Sequence, residues 1–269
     1  FEVSKIDIKE GGKYIYATNG KAISANKNLI IEANNFEYSN ELQKLKAFQG
    51  NALIKSDNLD IEFEEIEFDQ INLIMTAKNK IKIYDNKKEM IIESDMIIYD
   101  RKIGTIQSQS KSFFKDKFQN EFVTEKFFYN IPKNLLKLEN VKLKDTQGNN
   151  LQIDLAFINT NSNKLVGKDV LIDLNNKSFN PDNEPRLKGK SVKYNNEITE
   201  VNKGVFTTCK KTGKCPPWQL SAEKITHDKK KKIIEYKNAW LDLYDIPVIY
   251  FPKFFHPDPT VKRRSGFLI

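Results

Sequence analysis

The chain has 269 residues, of which 39% are hydrophobic and 30% charged, and its net charge is +8. That length buries a core as one long domain or two short ones, and the composition excludes a disordered chain. The positive charge fits a solvated lysine-rich surface or an anionic partner (nucleic acid, anionic lipid or phosphorylated glycan) and does not choose among them.

No run of about 18 apolar residues is available for a transmembrane helix. The opening FEVSKIDIKE lacks the layout of a signal peptide and starts on Phe rather than Met, so the chain reads as a processed or trimmed piece. From there the sequence repeats itself. A first half-unit, GKAISA (20–25), leads through the polar turn SANKN (24–28) into IIEANNFEYS (30–39). The pattern returns as GNALIKS (50–56), KSDN (55–58) and DIEFEEIEFD (60–69), then as KIKIYD (80–85), DNKK (85–88) and IIESDMIIYD (91–100). It continues as KSFFKD (111–116) with EFVTEKFFYN (121–130), and as NVKLKD (140–145) and DTQGNN (145–150) with QIDLAFINTN (152–161). The last two units are KDVLID (168–173) with RLKGKSVKYN (186–195) and KGVFTT (203–208) with QLSAEKITHD (219–228). The second halves start 30, 31, 30, 31, 34 and 33 residues apart.

Within each second half an apolar residue is followed two later by a usually small one, three later by an apolar one, and two later by a residue that is usually aromatic. The first copy has Ile31, Ala33, Phe36 and Tyr38; the third has Ile92, Ser94, Ile97 and Tyr99. Steps of two keep side chains on one face of a strand. The step of three adds one residue, which is what a β-bulge supplies, and a bulge bends the strand. Each unit is therefore two short strands, and seven units predict about fourteen antiparallel strands with little helix. The fold class is all-β, an elongated, bent β-jelly-roll (β-taco) built from a roughly 30-residue repeat, with a plain β-sandwich or β-solenoid as the alternative.

The recurring apolar slots define the expected interior. They are Ile31, Ala33, Phe36 and Tyr38 in the first copy, with Ala52 and Ile54 before the second. Ile61, Phe63 and Ile66 follow, then Ile81 and Ile83, then Ile92, Ile97 and Tyr99. Glu32, Glu37, Glu62, Glu67 and Glu93 are expected outside. The N-terminal unit, near Tyr14–Ala17 and Ala22–Ala25, is expected to offer an open sheet edge to a partner strand.

Little in the chain suggests chemistry. Two histidines and two cysteines, far apart, make no zinc signature. There is no Ser/His/Asp order of a known type, no Gly-rich phosphate loop and no paired-carboxylate motif, so neither catalysis nor a cofactor nor a metal is expected. His227 fills the aromatic slot of the seventh repeat and His256 sits in the Pro-rich FFHPDP, read as a turn. Lys229–Lys232 is read as a solvated hairpin tip. Cys209 and Cys215 could close a short loop in an oxidising compartment, pair outside this segment, or stay reduced in a cytoplasm. Nucleic acid is not expected as a partner, because the aromatics follow the buried register instead of interleaving with Lys and Arg.

The last third changes character. TTC (207–209), Trp218, Ala222, Ile225, His227 and Asp228 lead to Ala239, Trp240 and Leu241, then to Ile246, Pro247, Val248, Tyr250 and Pro252. Pro257, Asp258, Pro259 and the run Lys262–Phe267 (KRRSGF) follow. This stretch closely resembles the LptD (OstA) family of lipopolysaccharide-assembly proteins, strongly over 201–269. The repeat over residues 1–200 resembles, more weakly, the OstA-type repeat shared with the bridge protein LptA.

The resemblance implies a periplasmic β-jelly-roll over residues 1–240, on the periplasmic face of the cell outer membrane. Residues 241–269 would be a linker and the start of an outer-membrane β-barrel that this chain does not contain. The domain would take lipopolysaccharide from the periplasmic bridge protein LptA and pass it to the barrel, which is plugged by the lipoprotein LptE. Its interior would bind lipid. Because proline lacks an N–H and pairs poorly, Pro247, Val248, Tyr250, Pro252, Phe254, Pro257 and Pro259 are read either as a weakly bonded lateral-gate region where the domain meets the barrel or as a plain turn between two rigid bodies. The family's disulfides between domain and barrel suit Cys209, whereas Cys215 departs from the simplest pattern. Two alternatives come from other classes: an LptA-like soluble lipopolysaccharide-binding bridge, which has no use for the barrel-leading sequence, and a purely structural β-solenoid with a filled interior.

Overall fold

A computed structural model describes residues 1–175, 183–211, 216–258 and 261. Among them are nineteen strands, and every pairing given below is antiparallel. The chain divides into two compact units, Phe1–Leu138 and Glu139–Ile269. The first contains β1 (Glu2–Lys9), a 3-10 turn (Glu10–Gly12), β2 (Tyr14–Ile23), β3 (Leu29–Ser39), β4 (Lys44–Ile54), β5 (Leu59–Asp69), β6 (Ile74–Asp85) and β7 (Met90–Asp100). Four short strands follow: β8 (Thr105–Ser108), β9 (Ser112–Lys115), β10 (Glu121–Thr124) and β11 (Lys126–Asn130). The division falls inside β12 (Leu135–Lys144). The second unit continues with β13 (Asn150–Asn159), β14 (Lys164–Asp173), β15 (Arg186–Tyr194), β16 (Ile198–Thr207), β17 (Trp218–Asp228), β18 (Ile233–Leu243) and β19 (Ile246–Pro257).

The strand count exceeds the expected fourteen for identifiable reasons. The repeat as read covers β2 to β17. Two of its strands are interrupted, giving β8 with β9 and β10 with β11. At the first interruption the hydroxyls of Ser94, Ser108 and Ser112 bond one another at 3.0–3.1 Å where ladder bonds stop. The remaining strands lie outside the repeat: β1 before it, and β18 and β19 after it.

The step of three in the sequence is a bend in the structure. The register runs Thr18↔Asn35 and Gly20↔Ala33, skipping Asn19 and Asn34; the next pair of strands runs Asn35↔Phe48 and Ala33↔Gly50, skipping Asn34 and Gln49. The same row recurs in the second unit, where the ladders skip Asp169, Lys203 and Asn238. Asn19, Gln49, Asp169, Lys203 and Asn238 all take left-handed φ values of 48–53°, the backbone signature of a bulge. Pro252 falls on this row of β19, between the pairs Ala239↔Phe251 and Lys237↔Lys253. A residue without an N–H costs little where the ladder already skips. Gly50 is required by proximity, since a Cβ there would lie 2.0 Å from the backbone oxygen of Glu32 on the neighbouring strand.

Each strand thus has two arms, and in each unit the sheet folds over at the bend so that the arms face one another. In the first unit Phe114 of one arm meets Phe127 of the other edge-to-face at 5.1 Å. In the second, Phe206 meets Tyr236 at 6.0 Å. Leu29, Ile31 and Ala33 are buried on one side of the bend and Phe36 on the other, so the parity change keeps both arms apolar inside. Outside, lysines pair with acids across strands, as in Lys21–Glu32 and Lys44–Glu67, both 3.1 Å. Such exposed pairs favour register more than stability.

Two expectations need correction. The N-terminal edge of β2 is covered: β1 pairs with it from Glu2↔Lys21 to Lys9↔Tyr14. The alternation of Ile6 and Ile8 makes residues 2–9 a strand, and Gly11 and Gly12, both at positive φ, turn the chain back. His256 lies on a strand rather than in a turn, because β19 pairs with β18 as far as Ile233↔Pro257.

Candidate functional site

The feature with functional potential is the apolar face enclosed between the arms. Of the expected interior set, thirteen residues, from Ile31 to Tyr99, are 0–6% exposed, and Tyr38 is half-buried. Glu32, Glu37, Glu62 and Glu93 are exposed, and Glu67 is half-buried beside Lys44. Fully burying one such isoleucine or phenylalanine stabilises by about 1.5–3 kcal/mol, so the facing arms hold each other strongly. Exposure this low also means that the interior side chains fill the space between the arms.

The margins opposite the bend carry polar ties that sequence reading missed. In the first unit the Tyr99 hydroxyl donates to Asp57 in the β4–β5 turn. The Tyr129 hydroxyl donates to Oδ2 of Asp85 at 2.6 Å. Burial pushes the Asp85 carboxyl above the usual carboxylate range, against the hydrogen bond from Tyr129. Burial likewise pushes the Tyr99 hydroxyl up, and its bond to Asp57 adds to the shift.

In the second unit Lys229 corrects another expectation. Lys230, Lys231 and Lys232 are exposed as a hairpin tip should be, but Lys229 is 6% exposed. Its Nζ donates to Oδ2 of Asp145 at 2.8 Å and sits 4.3 Å from the centre of the Tyr194 ring. Burial pulls the ammonium below the usual lysine range, and the Asp145 carboxylate opposes that. Asp145 also accepts the backbone N–H groups of Gln147 and Asn149, so its charge is well solvated by the turn.

His227 is buried as a packing residue, with Nε2 3.0 Å from Oδ2 of Asp258. His256 joins an aromatic group with Phe206, Tyr236 and Phe254. Further along β19, Pro247, Val248, Tyr250 and Pro252 are exposed and Phe254 and Pro257 are half-buried; Pro259 lies outside the described residues. Val248, Ile249 and Tyr250 form an exposed apolar run with Trp240 of β18 beside them. Cys209 is a half-buried free thiol whose Sγ lies 3.7 Å from the Trp218 carbonyl oxygen; Cys215 lies outside the described residues.

Two surface depressions have mixed walls, where charged side chains stand beside apolar ones such as Phe113 and Val123 in one and Val170 and Leu171 in the other. One of about 630 Å³ is lined by Glu62, Lys80, Lys82, Glu93 and Lys111 among others. The second, of about 440 Å³, has Asp154, Asp169, Lys188, Lys190 and Lys203 on its walls. Among the described residues no group of three or more His, Cys, Asp or Glu side chains could hold a metal.

No family model matches the chain. The chain is similar to the LPS-assembly protein LptD of Idiomarina loihiensis, 28% identical over 143 residues, which are 49% of this chain and 18% of that protein. It is also similar to the LPS-assembly proteins LptD of Francisella tularensis subsp. novicida and subsp. holarctica, 39% identical over 51 residues, 19% of this chain and 6% of each relative. The chain thus matches less than a fifth of the length of these curated relatives.

Proposed function

We propose that this chain conducts lipopolysaccharide across the periplasmic face of the outer membrane, with the acyl chains running between the two arms. The observation that carries the reading is the apolar face repeated along both arms of each unit. It is joined by the partial similarity to proteins named for lipopolysaccharide assembly. An acyl chain gains about 0.8 kcal/mol per CH₂ buried. A face that repeats every strand offers that gain at each step without a deep minimum at any one. Phosphates and sugars would stay outside among the lysines. No residue is assigned a catalytic role.

In this reading residues 1–240 are the conduit, receiving lipid from a bridge protein of the LptA kind. Residues 241–269 lead toward a β-barrel of the kind plugged by LptE. The exposed Pro247, Val248, Tyr250 and Pro252 of β19, with the half-buried Phe254, would line a lateral passage, and Cys209 and Cys215 would supply disulfides. The filled interior favours a second reading, a purely structural β-solenoid. A photo-crosslinking amino acid at Ile61, Ile92, Glu32 or Glu93, in cells making lipopolysaccharide, separates the two. Lipid adducts at the isoleucines but not the glutamates support a conduit; adducts at none of them leave the structural reading.

A further inference from the structure

Backbone ladders run along each arm, from strand to neighbouring strand. Among the described residues no backbone hydrogen bond joins the margin of one arm to the margin of the other. Three polar ties do so by side chain. Tyr99, at the end of β7 on one arm, reaches Asp57 in a turn of the other, 42 residues away. Tyr129 of β11 reaches Asp85 at the end of β6, 44 residues away. Lys229, in the β17–β18 turn, reaches Asp145 in the β12–β13 turn, 84 residues away.

The ties share a design. Tyr99 and Tyr129 occupy the same slot of successive repeats, and Asp57, Asp85 and Asp145 stand in or beside corresponding turns. Tyrosine suits this place, since its ring packs in the apolar interior while its buried hydroxyl reaches a carboxylate of the facing arm. While the arms are closed both tyrosines and Asp85 are buried, so each bond satisfies polar groups that would otherwise be unpaired; water reaches them only where the arms part. The same slot in the two preceding repeats is built differently. Tyr38 reaches only Gln70, at 3.4 Å, and Phe68 has no hydroxyl.

We propose that Tyr99–Asp57, Tyr129–Asp85 and Lys229–Asp145 are latches that fasten the arm margins when no lipid is inside and release as acyl chains pass. The proposal rests on the conduit reading for its purpose, but not for its mechanics. Because the interior is filled, lipid can enter only if the arms part. The bend side is continuous backbone, so parting occurs at the margin, where the latches are the polar links. Releasing one latch frees one repeat, so a lipid advances by opening the fold locally rather than all at once.

The test is pulsed electron–electron resonance on the 269-residue chain, with spin labels on p-acetylphenylalanine. One pair replaces Lys55 and Lys102, flanking Tyr99–Asp57; another replaces Thr146 and Lys231, flanking Lys229–Asp145. Without lipid, the unaltered latches should give narrow distributions at both pairs. Tyr99→Phe with Tyr129→Phe should shift the first pair to longer distances and leave the second unchanged. Asp57→Asn with Asp85→Asn, which keeps both rings, should do the same, so a folding defect of one variant does not decide the matter. Rough lipopolysaccharide added to the unaltered chain should lengthen both distances. If both sets of variants keep the narrow distribution with native circular dichroism, the latches are refuted. If the variants lengthen the distance but lipopolysaccharide never does, the latches stand and the conduit reading falls.

Discussion

His256 accepts a hydrogen bond at Nε2 from the hydroxyl of Tyr236, 2.8 Å away, while its Nδ1 donates to the carbonyl of Pro257 at 2.6 Å. A carbonyl cannot donate, so Nδ1 carries a proton, and in the neutral ring Nε2 is left as the acceptor for Tyr236. Burial holds the imidazole below its ordinary value, against the bond to the Pro257 carbonyl and the nearby Asp258, with His227 acting in the same sense as burial.

The first prediction follows from that pair. The folded His256 stays neutral where the unfolded histidine takes up a proton, so stability is complete above the unfolded value. It is lost as pH falls from that value toward the lower folded one. The urea midpoint should drop between about pH 7.5 and about pH 5.5, either side of the ordinary histidine value. His256→Phe should show a smaller drop over the same interval. Equal drops in both proteins would contradict the assignment.

Lys229 should behave unlike its neighbours in the same run. Replacing it with Met leaves the Asp145 carboxylate buried without its counter-ion, a loss of about 3–5 kcal/mol in such pairs. Lys230→Met, at an exposed position, should be close to neutral. Adding Asp145→Asn to Lys229→Met should recover part of the loss, measured by a double-mutant cycle in urea.

The bend predicts substitutions of opposite sign at Gly50 of β4 and Lys203 of β16. Gly50→Ala places a methyl against the Glu32 backbone and should cost about 1–3 kcal/mol. Lys203→Gly relieves a left-handed lysine on the exposed row and should be neutral or stabilise by up to about 1 kcal/mol. Thermal unfolding of the two variants beside the parent checks both signs.

Ile97 and Ile98 are adjacent, but only Ile97 faces the interior. Ile97→Ala should cost about 2–5 kcal/mol and Ile98→Ala clearly less. Equal losses would mean that the sheet is buried on both faces, which the enclosed interior does not allow.

These predictions also mark what could be read in advance. The bend was visible because a parity change in apolar spacing, as from Ala33 to Phe36, needs no knowledge of partners. The inward set was visible for the same reason. The latches were not, since Tyr99 and Asp57 come together only once the sheet has folded over, and no local pattern encodes a partner 42 residues away. Lys229 was hidden inside a run of four lysines, where its place beside the Tyr194 ring depends on the turn. The first strand escaped notice because Ile6 and Ile8 alternate too briefly to stand out, and their strand is secured by β2.

The skipped row has a mechanical consequence. Within each unit the sheet is stiff along its strands' neighbours, where ladder bonds accumulate, and soft across one line, where the ladders of the long strands described above skip. A sheet built this way behaves like creased card: its opening angle can change by small rotations shared among many residues, with no ladder broken. Its cross-section is set strand by strand at the crease, whereas its length is set by how many repeats are stacked. Duplicating or deleting one repeat would therefore lengthen or shorten the fold and leave its profile the same.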